Sequence, residues 1–161
     1  EAGQGSMYHH FSGKQDLAVT ALEETAAGMR ASAEILLHGE GSPVDRVKAY
    51  LTRQRDSLKG CRIGRMTYDT NVLTSPELLA PVTQTLAWLV ETLAGVSAEG
   101  IECGQLRADV DAREVASMVV ATIQGGYVLA RAGQDPAAFD AAVRGALQSL
   151  AALEQSTVCN E

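Results

Sequence analysis

The residues best able to do chemistry stand at the start of the chain: Gln4, Ser6, Tyr8, His9 and Lys14, inside the run Gln4-Gly5-Ser6-Met7-Tyr8-His9-His10-Phe11-Ser12-Gly13-Lys14-Gln15-Asp16-Leu17. Hydroxyl, imidazole and ammonium groups all hydrogen-bond phosphate oxygens, and a helix starting after Ser12 adds backbone donors for the same purpose. Gln4 and Ser6, at the leading end of a short helix, would meet base edges if that helix entered a major groove. The same side chains could instead do no more than close a helical corner. Other chemistries fit less well. His9 and His10, adjacent on a helix, point roughly 100° apart and do not converge on one metal ion, and no acid or cysteine follows at a zinc-like spacing. Gly3-Gln4-Gly5-Ser6-Met7 lacks the glycine that follows the serine of a nucleophile elbow, and the Gly-x-Gly start lacks the third glycine and preceding strand of a dinucleotide loop. Cys61 has no base at an informative spacing. No metal, cofactor or enzymatic activity is expected.

Those side chains need elements to hold them. Ser6 to Phe11 makes roughly two helical turns, with Met7 and Phe11 on one buried face and Ser6, Tyr8 and His9 on the other. So short a helix is not stable alone, because nucleation costs more than its few hydrogen bonds return, so it must dock on something larger. Ser12 and Gln15 have capping-box spacing and open a first long helix, from Gly13 to His38. Ser42-Pro43 starts a second, with Val44, Val47, Leu51, Gln54 and Leu58 on one face and Gly60 as its stop. A tight corner and a brief helix follow over 61–69. Ser75-Pro76 then starts a long helix to Glu102, with a bend or late start expected at Pro81. Asp111 and Glu114 cap the next, whose two apolar lines are Val115, Val119, Ile123, Tyr127 and Met118, Thr122, Gly125, Leu129; two such lines predict burial on two sides. Gly125-Gly126 inside that helix costs about 1 kcal/mol per glycine relative to alanine, which a close helix crossing or room for a ligand would offset. Asp135-Pro136 starts the last helix, with the stripe Phe139, Val143, Ala146, Leu150 and Leu153; a frayed tail is expected from Ser156. The chain reads as all-α.

Composition agrees. The 161 residues are 46% hydrophobic but only 4% aromatic, the balance being Ala, Leu and Val that suit close-packed helices. A net charge of −7 argues against a generally basic nucleic-acid binder, though a small local basic face would suffice. Cys61, Cys103 and Cys159 are odd in number and widely spaced, which fits a reduced, cytoplasmic compartment rather than a disulfide framework. No run of 18 uninterrupted apolar residues is present, so no membrane partner is expected, and no signal-peptide pattern is visible.

The motif Gly5-Ser6-x-Tyr8-His9-His10-Phe11-x-x-Lys14-x-x-Leu17 resembles the end of the helix-turn-helix of TetR-family transcriptional regulators. The resemblance implies that residues 1–20 are the C-terminal remnant of a DNA-binding domain, with preceding helices expected upstream, and that 21–161 form an effector-binding and dimerisation domain. It implies a repressor that binds palindromic operator DNA as a homodimer, contacts it through Gln4, Ser6, Tyr8, His9 and Lys14, and is released by a small, largely hydrophobic effector. Met29, Tyr68, Trp88, Gln124 and Tyr127 lie on segments that surround an effector pocket in this family. The last two helices look like its dimer-forming pair, with Ala142, Val143, Ala146, Leu147 and Leu150 at the interface. The competing reading is a helical ligand-binding or interaction module without a DNA role.

Overall fold

A computed structural model of the chain describes residues 13–155. The DNA-contact candidates Gln4, Ser6, Tyr8 and His9, together with the expected tail and Cys159, lie outside the described residues. Among the described residues six α-helices follow one another: α1 Lys14–Leu37, α2 Pro43–Thr52, α3 Thr70–Thr74, α4 Pro76–Glu102, α5 Ala112–Gly133 and α6 Pro136–Leu153. A 3-10 turn, Gly64–Tyr68, precedes α3, and an isolated bridge joins Leu106 to Glu154.

The helix starts are set by the caps that the sequence supplies. Ser42 Oγ accepts from the Asp45 amide (3.2 Å), Ser75 Oγ from Leu78 (3.4 Å), Asp111 from Arg113 and Glu114 (2.8 and 2.9 Å), and Asp135 from Ala137 (2.9 Å). In α2, α4 and α6 a proline takes a first-turn place where no amide donor is needed. Helix α4 starts at Pro76 and continues through the buried Pro81, so the late start is not taken. In helix α1 Gly13 is the N-cap, Ser12 of the expected capping box lies outside the described residues, and Gln15 donates to Ser75 Oγ and Glu77 Oε2 at the start of α4. At the far end, a Cβ on Gly39 would lie 2.6 Å from the Ile35 carbonyl oxygen, so only glycine lets the chain turn that tightly off α1.

Helix α2 stops at Thr52, earlier than the apolar spacing predicts, and Gln54 and Leu58 are exposed. The cause is Arg55. Its guanidinium folds back on the helix end, donating to the carbonyls of Leu51 (2.9 Å), Arg53 (3.0 Å) and Tyr50 (2.5 Å), acceptors that a terminating helix leaves open.

Helix α4 is the centre of the packing, touching α1, α2, α3 and α5, while α5 lies between α4 and α6. The main core joins Leu37, Tyr50, Leu51, Leu89, Leu93, Val119, Ile123, Phe139 and Leu150; a smaller one gathers Ala26, Ile63, Val72 and Val82 where α1, α3 and α4 meet. The α6 stripe packs as expected, with a consequence for the interface residues. Val143, Ala146 and Leu150 are buried in the protomer's own core, so they are not available to a partner subunit; Ala142 and Leu147 are half-buried. On α5 Val115, Val119 and Ile123 of the first apolar line are buried and Tyr127 is half-buried, but the second line emerges, with Gly125 and Leu129 exposed. Among the described residues α5 is the helix long and apolar enough to cross a membrane, at 22 residues and mean hydropathy 1.3; here it is packed between α4 and α6.

Candidate functional site

A cavity of about 580 Å³ opens between the 3-10 turn, α4 and the second half of α5, walled by Gly64, Thr67, Tyr68, Leu86, Gln124, Gly125, Tyr127 and Val128. The adjacent glycines of α5 answer the cost noted above in two different ways. Gly126 is a close crossing: a Cβ there would sit 2.9 Å from Phe139 Cδ2 and 3.4 Å from Ala142 Cβ. Gly125 meets nothing within 4 Å and forms cavity wall. Gly126→Ala is therefore expected to lose about 1–3 kcal/mol by overpacking against the Phe139 ring, whereas Gly125→Ala gains roughly 0.5–1 kcal/mol from helix propensity. Urea midpoints of the two variants check this, and equal shifts would contradict it.

Gln124 is placed by a second glycine. A Cβ on Gly64 would fall 2.1 Å from Gln124 Oε1, so the amide lies directly against the Gly64 backbone, and no side-chain hydrogen bond holds it among the described residues. Gly64 in turn donates its amide hydrogen to Cys61 Sγ at 3.1 Å. Tyr127 stacks, tilted, on Phe139 with ring centroids 4.9 Å apart, and burial pushes its hydroxyl above the ordinary tyrosine range while Arg55 pulls the other way. Two further hollows adjoin the first, about 650 and 340 Å³, and all three share Gly60 and Tyr127. Gly60 has φ +75°, and a Cβ there would meet Arg131 Cδ at 3.1 Å; the turn and the close approach both require glycine.

Three of the expected pocket residues, Tyr68, Gln124 and Tyr127, come together on one cavity; Tyr68 stands at its mouth, 79% exposed. Met29 lines the smallest of the three hollows with Tyr127. Trp88 instead packs, half-buried, against the main core. Lys14 is exposed at the first residue of α1. Sequence reasoning missed the arginines around the cavity, although a signal was present: Arg53, Arg55, Lys59, Arg62 and Arg65 crowd into 53–65, where Asp56 is the one acid. Among the described residues no three His, Cys, Asp or Glu side chains gather where a metal ion could bind. The arrangement is suited to holding a small molecule.

Residues 43–146 match the family model described as tetracyclin repressor-like, C-terminal domain, more than half of the chain. The chain belongs to the TetR family of transcriptional regulators. A TetR transcriptional regulator from Chloroflexus aurantiacus J-10-FL is similar in structure, with TM-score 0.82 and 26% identity over 91% of this chain and 77% of that one. A TetR-family regulator from Cytophaga hutchinsonii gives 0.83 and 18% over 94% and 78%, and the reduced form of E. coli NemR gives 0.80 and 20% over 97% and 82%; these two share the fold. No curated protein sequence matches the chain.

Proposed function

We propose that residues 21–161 are the effector-binding and dimerisation domain of a repressor whose DNA-reading domain ends within 1–20, and that the cavity beside Tyr127 takes its effector, a small molecule with a largely apolar body. Regulators of this family generally bind DNA, dimerise and bind small-molecule effectors. Cytoplasmic location and the absence of enzymatic activity go with that reading. The subunits pair through the outward faces of α5 and α6, where Val128 and Leu129 are 51% and 57% exposed and nothing lies within 4 Å of a Cβ on Gly145. Two reading helices about 34–36 Å apart then match a palindromic operator.

One observation carries the mechanism: the cavity wall and the anchor of α1 are two ends of a single short segment. Thr67 and Tyr68 line the cavity, Asp69 caps α3 through the Asn71 amide (2.9 Å), and α3 ends at Ser75. Ser75 caps α4, and with Glu77 it receives the side-chain amide of Gln15. Gln15 is the second residue of α1, next to Lys14, so any shift there acts directly on the end of the reading domain. A ligand that binds better when 64–74 is displaced thereby favours the arrangement that releases DNA, and only by its difference in affinity for the two arrangements.

The test is fluorescence anisotropy of the full-length protein on the duplex that it selects, with and without compounds that bind the cavity. Gln15→Ala is expected to keep duplex affinity and to lose about 3- to 10-fold of the ligand-induced release, the worth of a hydrogen-bond pair. Undiminished release in Gln15→Ala would remove this link.

A further inference from the structure

The walls around Tyr127 carry an excess of positive charge that an apolar effector does not explain. Arg53, Arg55, Lys59, Arg62, Arg65 and Arg131 line the three adjoining hollows, six of the thirteen Lys and Arg in a chain of net charge −7. Against them stand two acids, Glu24 and Asp56, and Asp56 is already paired with Lys59 at 2.8 Å. Among the described residues, none of the five arginines has a carboxylate within ion-pair reach. Arg53 is the clearest case. Its Nε is buried without a hydrogen-bond acceptor, and its guanidinium lies 5.3 Å from the Tyr50 ring centroid, beside Arg55 at 5.1 Å. Arg55 Nε is likewise buried and unpaired. Elsewhere Arg46 also has an unpaired Nε, but Glu99 neutralises its head; at Arg53 and Arg55 no such group is found among the described residues. Burial and the neighbouring Arg53 both lower the proton affinity of Arg55.

Buried donors without acceptors and cations without anions call for a ligand that supplies both. We infer that the effector is an organic anion, its carboxylate- or sulfonate-type head held by Arg53 and Arg62, which line both hollows adjoining the first cavity, and its apolar body lying against Tyr127 and the Gly125 face of α5. This rests on the cavity being the effector site. It adds that charge, as well as fit, selects the molecule. Guanidinium groups suit the task because their planar fork matches two oxygens of one head group.

Anilinonaphthalene sulfonate and phenylnaphthylamine share an aromatic body and differ by the sulfonate, so fluorescence titration of the chain with each isolates the charge. The sulfonate is expected to bind at least about 10-fold tighter, with the preference shrinking as sodium chloride is added. Arg53→Gln and Arg62→Gln should each weaken sulfonate binding about 10-fold and leave the neutral probe unchanged, while Arg144→Gln, on the exposed face of α6, changes neither. Because Arg53 also packs on Tyr50, its variant is checked by circular dichroism; should it unfold, exposed Arg62 decides. Equal affinity for the two probes, or a sulfonate preference intact in Arg62→Gln, overturns the inference. The titration needs no DNA, so its failure leaves the regulator reading standing, and a failure of duplex selection would not alter the probe preference.

Discussion

Leu150→Asp is expected to unfold the domain, and Leu129→Asp to leave it folded but separate its subunits. The two leucines stand on the paired helices α6 and α5, yet Leu150 is 0% exposed and Leu129 57%. Truncating a fully buried leucine costs about 2–5 kcal/mol through lost transfer energy and the cavity left behind. An unpaired carboxylate in its place adds several more, or forces protonation. Set against the roughly 5–15 kcal/mol that holds a typical domain together, little folded protein should remain. On α5 the aspartate meets solvent in the protomer, so its cost appears only where two apolar faces meet. Circular dichroism with sedimentation distinguishes the cases. A folded monomer of Leu150→Asp would show that this residue faces a partner after all, and a stable dimer of Leu129→Asp would remove the outer face of α5 from the interface.

The second large effect is expected at Arg55→Met, a loss of about 2–4 kcal/mol in urea unfolding. Methionine retains apolar contact with Tyr50 and with Phe139, whose ring centroid is 5.9 Å from the guanidinium. It removes the donors that serve three carbonyls at the end of α2. Charge-assisted hydrogen bonds contribute about 1.5–3 kcal/mol each when partly buried, and three on one head do not add in full. A loss below about 0.5 kcal/mol would mean that water replaces the guanidinium at little cost, and that α2 is ended by something else.

How far the sequence foretold this structure depends on the kind of signal. Four helix starts were legible because each is written locally: Ser42-Pro43, Ser75-Pro76, Asp111 and Asp135-Pro136 all cap where their types and spacing say, whereas at the start of α1 Gln15 reaches across to α4. The end of α2 was not, since it depends on Arg55 turning back across the helix end, which no periodicity records. The α6 stripe was found, but what covers it was not legible. Apolar spacing says that Val143, Ala146 and Leu150 are buried without saying whether α5 of the same chain or another subunit covers them. Likewise the pair Gly125-Gly126 announced an unusual helix, and only packing separates the glycine under Phe139 from the one facing open space. Tyr68, Gln124 and Tyr127 could be gathered into one site because of the family resemblance; their spacing alone would not have joined them. The arginines were countable in the sequence, but their convergence follows from the fold of 53–65 around Tyr127.

The regulator reading is tested most directly by duplex selection. The full-length protein is incubated with random double-stranded DNA at moderate ionic strength, and the bound fraction is amplified and sequenced. Enrichment of a two-fold symmetric sequence, with half-sites about one helical turn apart, is the expected result. Retention of DNA with no preference for any sequence would contradict it.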